Sequence, residues 1–480
     1  MTFTVLRIVA IVLGIVGTTF LIPLGTALSL GENEAVFPFL IPMLVSWIFF
    51  AVFFFAGKNK KTYLSTRSGF VVVLLSWLSA SFFGAVPLFA SGSVPSFTDA
   101  VFESFSGFST TGATVINNVE ILPRSINLWR CQTHWLGGMG IVALTVALLP
   151  ILGVGGFQLI KNETTGPEKG KLTPKITTTA KALWFLYMTM TLVLCALLYF
   201  EGMDFLDALS HAFSTLGTGG FSTRNASIAA FNSPLIDFTC TVFMFLAGIN
   251  FSLYYYAVTR KFSEIKTNTE LKAYIAICLV SIAAVTLIEI SHYGNFFTSL
   301  RYSSFQTLSV ISTTGLATTD YTTFKNASQV IIFILFFIGG CSGSTSGGVK
   351  VIRWVVLSKQ LHNEVLKMLH PHGVFTIRIN KRAGRKDVVF TVAAFFFLFM
   401  LLIAVSTFVG ALFGLDVFSS FTGALSMVGN IGPGFGMFSP SNTAAFLPAA
   451  VKWFYCFVMM AGRLEFFTVI ILLSPRFWRK

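Results

Sequence analysis

Long apolar segments at about 5–30, 36–57, 69–91, 127–153, 182–200, 234–259, 272–292, 327–357, 388–413 and 446–474 leave this chain few folds to choose from. A helix needs roughly 20 apolar residues to cross a bilayer core, so ten spans are predicted. Four short polar segments recur between them. They are Ser109-Thr110-Thr111-Gly112-Ala113-Thr114, Ser214-Thr215-Leu216-Gly217-Thr218-Gly219, Ser312-Thr313-Thr314-Gly315-Leu316-Ala317 and the looser Val428-Gly429-Asn430-Ile431-Gly432-Pro433-Gly434. Only 11% of the 480 residues are charged, against roughly 25% in soluble domains. With a mean hydropathy of +0.78, the chain reads as an all-α integral membrane protein.

The net charge of +14 is not a nucleic-acid signature. The basic residues gather in loops on alternate sides of the spans: Lys58-Asn59-Lys60-Lys61, 169–175, 260–272, 350–386 and the tail Arg476, Arg479 and Lys480. Basic loops stay cytoplasmic. Counting onward from the loop at 58–67, both termini are predicted inside and all four polar turns outside. Cys131, Cys195, Cys240, Cys278, Cys341 and Cys456 form no CxxC or Cys/His cluster and read as small buried thiols. The apolar stretch 8–30 is too long for a signal-peptide core and reads as a retained helix.

Each turn follows a short helical stretch, at about 97–109, 204–214, 299–312 and 416–427, beginning near the N-cap candidates Asp99, Asp204, Thr298 and Asp416. These stretches are too short to span and read as re-entrant helices. The expected architecture is therefore two leading helices followed by four helix–re-entrant pore helix–helix repeats, arranged with pseudo-fourfold symmetry around one pore. The expected divisions are 1–68, 69–180, 181–268, 269–385 and 386–480.

Non-helical backbone inside a bilayer is tolerated only where it is buried or lines a water-filled path. Polar turns favour the path. Carbonyl oxygens can replace the hydration shell of a cation, and glycine allows the positive φ such a turn needs. Gly112, Gly217, Gly315 and Gly432 read as equivalent, with Thr110-Thr111, Thr215-Leu216, Thr313-Thr314 and Asn430-Ile431 before them as filter candidates. The re-entrant helices would point their partially negative C-termini at the cavity. An ordinary helix C-cap is the plain alternative for any one copy.

With these turns, Trp135-Leu136-Gly137-Gly138-Met139-Gly140, Gly339-Gly340-Cys341-Ser342-Gly343-Ser344-Thr345-Ser346-Gly347-Gly348 and Ala461-Gly462-Arg463, the chain resembles the Trk/Ktr/HKT superfamily of potassium transporters over nearly its whole length. The two leading helices look TrkH-type rather than Ktr-type. The resemblance implies potassium uptake across the cell inner membrane. It also implies a homodimer seated on a cytoplasmic nucleotide-binding regulatory ring of TrkA type, with potassium as the transported ion and no cofactor in this chain. In the family, glycine at the central position of all four turns goes with potassium preference and serine in the first with sodium permeation; that position is Gly112 here. A sodium-permeable or sodium-coupled relative is the alternative.

The segment 339–348 interrupts a span about a dozen residues in, roughly 18 Å deep at 1.5 Å per residue. Its glycines and serines hold a helix poorly. It is expected to be an intramembrane gating loop; a hinge or a small-residue packing face is the alternative. It lacks the GK[ST] ending of a phosphate-binding loop, and the GxGxxA-like run from Gly138 to Ala143 lies within a span. Arg463 stands about twelve residues before Pro475, near the bilayer middle, where an arginine faces the protein interior. Its expected partners are carbonyls or hydroxyls of the loop, or Glu465. It would act as a barrier to cations or as a structural ion pair, and Lys350 adds to the barrier or faces the vestibule.

Asp99, Glu103, Asp207 and Asp320 near the turns would focus cations or serve as caps. Asp207 and His211 form an i, i+4 pair. The basic segments 161–175 and 350–386 would meet anionic membrane lipid or an acidic face of a regulator. Convergent acids, histidines or a metal cluster within the spans are lacking, so an enzyme is not expected.

Overall fold

The computed structural model of the chain describes residues 2–57, 65–140, 176–380, 382–383 and 387–479, and these are helical almost throughout. Among the described residues, six helices are long and apolar enough to cross a membrane: Phe3–Leu30, Asn33–Ala56, Arg67–Ala90, Ala180–Phe200, Thr269–Tyr293 and Val388–Leu412. Two more candidates are helix pairs, Pro234–Ala247 with Phe251–Val258 and Ala449–Arg463 with Phe467–Leu473, bent by 93° and 119°. The other two expected spans differ from simple helices. One begins as Arg124–Trp135, and its part beyond 140 lies outside the described residues, as do the basic segments 58–61 and 161–175. The other stops as a helix at Leu335 and resumes at Val351.

Four short helices, Phe97–Phe108, Phe205–Gly217, Phe296–Ile311 and Val417–Gly429, each pack on the long helix before them. Their starts are set by side-chain caps, worth about 1 kcal/mol each. Asp204 and Asp416 cap as expected, accepting from Leu206 N and Ser419 N. The other two caps lie three residues upstream of the expected ones, where Ser96 accepts from Asp99 N and Asn295 from Phe297 N. The hydrogen bonds from Ser419 hold the exposed Asp416 carboxyl below its usual pKa, so this cap stays ionised at neutral pH.

The helix returning from each turn packs on the short helix of the next repeat. Arg124–Trp135 lies against the second short helix, Pro234–Ala247 against the third, and Ala449–Arg463 against the first. In the third repeat, the ring of Phe333 stands 6.1 Å from that of Phe421 on the fourth short helix. The four repeats thus close into a ring. The leading pair docks on the first repeat. Glu32 accepts from Arg124 N at 2.7 Å and Ser125 N at 3.0 Å, and Gln132 Nε2 donates to the Thr19 carbonyl at 2.8 Å.

The exposed surface is largely apolar, and the interior mixes apolar with polar side chains. Phe200, Phe297 and Phe390 are largely exposed, whereas Glu103, Arg130, His134, His211 and Gln306 are buried. An apolar exterior with the charged groups turned inward is what a bilayer solvent requires. The segment 350–386 departs from the expected loop, because Val351–Leu369 continues as helix. This stretch has no glycine or proline and is rich in helix formers. Arg378–Ile379 pairs antiparallel with Arg382–Ala383, the one strand pair among the described residues.

Candidate functional site

The four short helices end alike. The N–H groups of Thr111, Gly219, Thr314 and Ile431 reach back to the carbonyls of Ser106, Ser214, Ser309 and Ser426 at 2.9, 2.9, 2.8 and 3.0 Å. The residue before each takes left-handed backbone: Thr110 at φ 56°, Thr218 at 53°, Thr313 at 54° and Asn430 at 53°. This much is a helix C-cap, so the plain alternative is geometrically present. A C-cap does not account for a second left-handed residue in every turn. Two residues on, Gly112, Gly220, Gly315 and Gly432 have φ of 79°, 91°, 75° and 96°.

These glycines make the ring. A Cβ on Gly220 would come within 2.5 Å of the Thr314 carbonyl oxygen. One on Gly315 would run into the Ile431 carbonyl, one on Gly432 into that of Thr111, and one on Gly112 into that of Gly219. The turns therefore succeed one another in the order first, second, third, fourth and back to the first. All four glycines line one cavity of about 180 Å³ with Thr114, Ser222 and Asn442.

The register of the second turn differs from the sequence expectation. Thr215, Leu216 and Gly217 belong to the last turn of its short helix, and Thr218, Gly219 and Gly220 occupy the place of Thr110, Thr111 and Gly112. Gly217 is required for another reason: a Cβ there would lie 2.6 Å from the His134 carbonyl oxygen. In this turn the Ser-Thr-x-Gly motif lies three residues ahead of the left-handed pair. A different pattern holds in all four copies, a serine followed four residues later by Thr or Asn and six later by Gly: Ser106/Thr110/Gly112, Ser214/Thr218/Gly220, Ser309/Thr313/Gly315 and Ser426/Asn430/Gly432.

Buried polar side chains brace the turns from behind. Glu103 accepts from Val115 N and Thr114 Oγ1 at 2.9 Å and from Arg130 Nε at 2.9 Å and Nη2 at 2.7 Å. Arg130 also donates to the Ser222 carbonyl at 3.3 Å and lies 4.4 Å from the Phe221 ring, so it ties the first turn to the second. His211 bonds Ser222 Oγ at 2.8 Å, and Gln306 donates to the Thr319 carbonyl at 2.7 Å. Both charges of the Glu103–Arg130 pair are buried, and removing one strands the other at a cost of about 3–5 kcal/mol. Glu103→Ala is therefore expected to lower stability by about that amount, measurable by denaturing the purified protein; a loss under about 1 kcal/mol would show that the pair braces nothing.

Three of the acids near the turns are ion-paired, and the fourth is held by hydroxyl groups. Asp99 pairs with Lys452 at 2.7 Å, Asp207 with Arg224 at 2.5 Å and Glu103 with Arg130. Asp320 accepts from Thr322 and Ser441, both at 2.7 Å. The Asp207 backbone carbonyl accepts from His211 at 2.8 Å.

The second feature is a layer of broken helices. The sequence pointed to the 339–348 interruption, but every repeat has one. The first loses helical backbone at Gly138 (φ −65°, ψ −111°), the second at 248–250 and the fourth at 464–466. The loop of the third repeat fills the gaps. Cys341 N donates to the Gly248 carbonyl at 2.8 Å and Phe251 N to the Gly343 carbonyl at 3.0 Å, so the freed backbone of two repeats pairs with itself. Glu270 accepts from Ser342 N at 2.6 Å and Ile352 N at 3.1 Å, holding both ends of the loop. Gly339 N bonds the Val349 carbonyl at 2.8 Å. Among the remaining loop residues, Ser344 Oγ bonds the Cys341 carbonyl at 2.6 Å, and a Cβ on Gly340 would meet the Gly248 carbonyl oxygen at 2.9 Å.

Arg463 is the last residue of its helix and reaches across this layer. Its Nη1 donates to the Thr345 carbonyl at 2.8 Å, and its Nη2 to the carbonyls of Gly137 at 2.8 Å and Gly138 at 3.2 Å. Glu465, the other expected partner, sits at φ 54° and pairs instead with Arg353 at 2.6 Å. Lys350 is buried and donates to the Ser346 carbonyl within the loop. Thr313 Oγ1 accepts from Gly347 N at 2.6 Å, joining the loop to the third turn.

A family model described as TrkH, cation transport protein, matches residues 36–480. The chain is 40% identical to the Trk system potassium uptake protein TrkH of Halomonas elongata over 436 residues, 90% of each chain. It is 35% identical to the protein of the same name from Escherichia coli K12 over 479 residues, 99% of each. The crystal structure of the potassium transporter TrkH from Vibrio parahaemolyticus superposes with a TM-score of 0.88 at 34% identity, covering 100% of both chains.

Proposed function

Since the chain belongs to the TrkH family of cation transport proteins, we propose that it carries potassium into the cell through the ring of four turns. It is a multi-pass membrane protein of a transporter family, not an enzyme. The observation that carries the proposal is the closed ring, in which each glycine lies against a carbonyl of the next turn around one cavity. Carbonyl oxygens arranged in this way replace the hydration shell of a cation. The filter residues are Thr110, Thr111 and Gly112; Thr218, Gly219 and Gly220; Thr313, Thr314 and Gly315; and Asn430, Ile431 and Gly432. The relatives from Halomonas elongata and Escherichia coli are potassium uptake proteins of a Trk system, and glycine in all four turns supports potassium rather than sodium.

The loop 339–348 acts as the gate, with Arg463 as the latch and the electrostatic barrier beneath the ring. The turns open to the outside of the cell inner membrane and both termini lie in the cytoplasm. The protein works as a homodimer on a cytoplasmic ring of nucleotide-binding regulatory subunits, with the helix Val351–Leu369 as the arm through which they act on the gate. The four repeats and the leading pair form the five divisions outlined from the sequence. Basic loop residues contact anionic membrane lipid.

Ion uptake into liposomes containing the purified protein tests this directly. Gly112→Ser is expected to raise sodium uptake relative to potassium by about tenfold, since the wider, irregular ring loses part of a carbonyl shell worth about 1.4 kcal/mol of discrimination. An unchanged ratio would remove Gly112 from the filter.

A further inference from the structure

The hydroxyl of Thr313 stands at the junction of the ring and the loop. It belongs to the third turn, yet it accepts the backbone N–H of Gly347 at 2.6 Å. Gly347 is wedged between two turns. A Cβ there would lie 2.9 Å from Asn430 Cβ and would run into the Gly429 carbonyl. The equivalent hydroxyl of the first turn, Thr110 Oγ1, is buried without a partner. Of these two hydroxyls, the loop engages that of Thr313 alone.

Resting on the filter assignment, we propose that the Thr313 hydroxyl has two mutually exclusive partners: a potassium ion at the inner mouth of the ring, and the N–H of Gly347 in the docked loop. Three physical effects make them exclusive. The N–H takes a lone pair of the hydroxyl. It also turns the positive end of an amide dipole toward the place where a cation would sit. The Gly347 backbone itself fills the space beneath the third and fourth turns.

Linkage then sets the consequence. Two ligands competing for one group each weaken the binding of the other by the same factor. Potassium at the inner mouth therefore loosens the docked loop, and the docked loop expels potassium from the inner mouth. The permeant ion becomes an opener of its own gate, and an emptied path relocks.

Cys341 is a natural reporter because it is buried within the docked loop. The experiment uses full-length protein in which the other five cysteines are replaced by alanine, reconstituted in liposomes. It reads the rate at which a membrane-impermeant maleimide labels Cys341, in potassium and in N-methyl-D-glucamine at equal ionic strength. Potassium is expected to speed labelling roughly fivefold, the yield of about one buried hydrogen bond. Thr313→Ser keeps the hydroxyl and should retain this dependence. Thr313→Val keeps the shape and should label fast in both ions. Potassium-independent labelling with the hydroxyl present, or potassium dependence surviving Thr313→Val, would overturn the proposal. The potassium-to-sodium uptake ratio of Gly220→Ser in the same liposomes separates the two ideas. If that ratio does not change, the filter assignment fails. If it changes while labelling ignores potassium, only the competition fails.

Discussion

Replacing Arg463 with alanine is expected to raise resting potassium flux by on the order of tenfold or more. Arg463 holds three segments together: its own helix, the first repeat through the Gly137 and Gly138 carbonyls, and the loop through Thr345. In the proposed gating, release of the loop breaks the Thr345 bond and leaves the other two, so that bond stabilises the docked state selectively. A charged hydrogen bond contributes about 1.5–3 kcal/mol, and about 1.4 kcal/mol is a factor of ten. Loss of a positive charge beneath the ring adds in the same direction by lowering the barrier to cations. Arg463→Lys separates the two contributions. Lysine keeps the charge, but its three N–H donors share one nitrogen and do not span carbonyls in two directions as the guanidinium fork does. Its flux should fall between wild type and alanine. Potassium-loaded liposomes give the readout, and alanine flux equal to wild type would take Arg463 out of the gate.

The second large effect concerns the register of the second turn. Gly220 and Gly217 are three residues apart, and both resist a side chain, but for different reasons. Gly220 has φ 91° and its missing Cβ faces the Thr314 carbonyl of the ring. Gly217 is helical, and its missing Cβ faces the His134 carbonyl of the first return helix. Gly220→Ser should therefore reduce potassium preference by about tenfold, as one carbonyl shell opens. Gly217→Ala should lower thermal stability by the roughly 1–3 kcal/mol of an overpacked contact, and the protein that folds should keep its ion preference. The opposite outcome, selectivity lost at Gly217 and kept at Gly220, would restore the alignment drawn from the Ser-Thr-x-Gly motif.

Much of this arrangement is legible in the residues alone. Apolar length locates the spans, and the polar turns locate the ring, because a bilayer leaves irregular backbone nowhere else to go. The loop is legible for the same reason, since Gly339 to Gly348 cannot hold a helix well. The second turn is easily misplaced because Gly217-Thr218-Gly219-Gly220 offers several glycines, and local letters do not say which one takes positive φ. The breaks in the second and fourth repeats escape notice for a different cause. Leu464-Glu465-Phe466 contains neither glycine nor proline, and its bend goes with tertiary contacts, Glu465 to Arg353 and Arg463 to the loop. In the second repeat Gly248 and the N-cap Asn250 are the available signal, concealed inside a run apolar enough to read as one helix. The acid Asp99 carries no sequence mark of its partner, because Asp99 and Lys452 are far apart in the chain and meet only through the ring closure.

The pairing of potassium selectivity with four turns in this register is the central claim. The most direct measurement is the reversal potential of purified wild type and Gly220→Ser in planar bilayers, with potassium on one side and sodium on the other. Wild type should reverse far from zero, with the sign of a potassium-selective path, and Gly220→Ser should reverse much closer to zero. Identical reversal potentials for the two proteins would contradict the account.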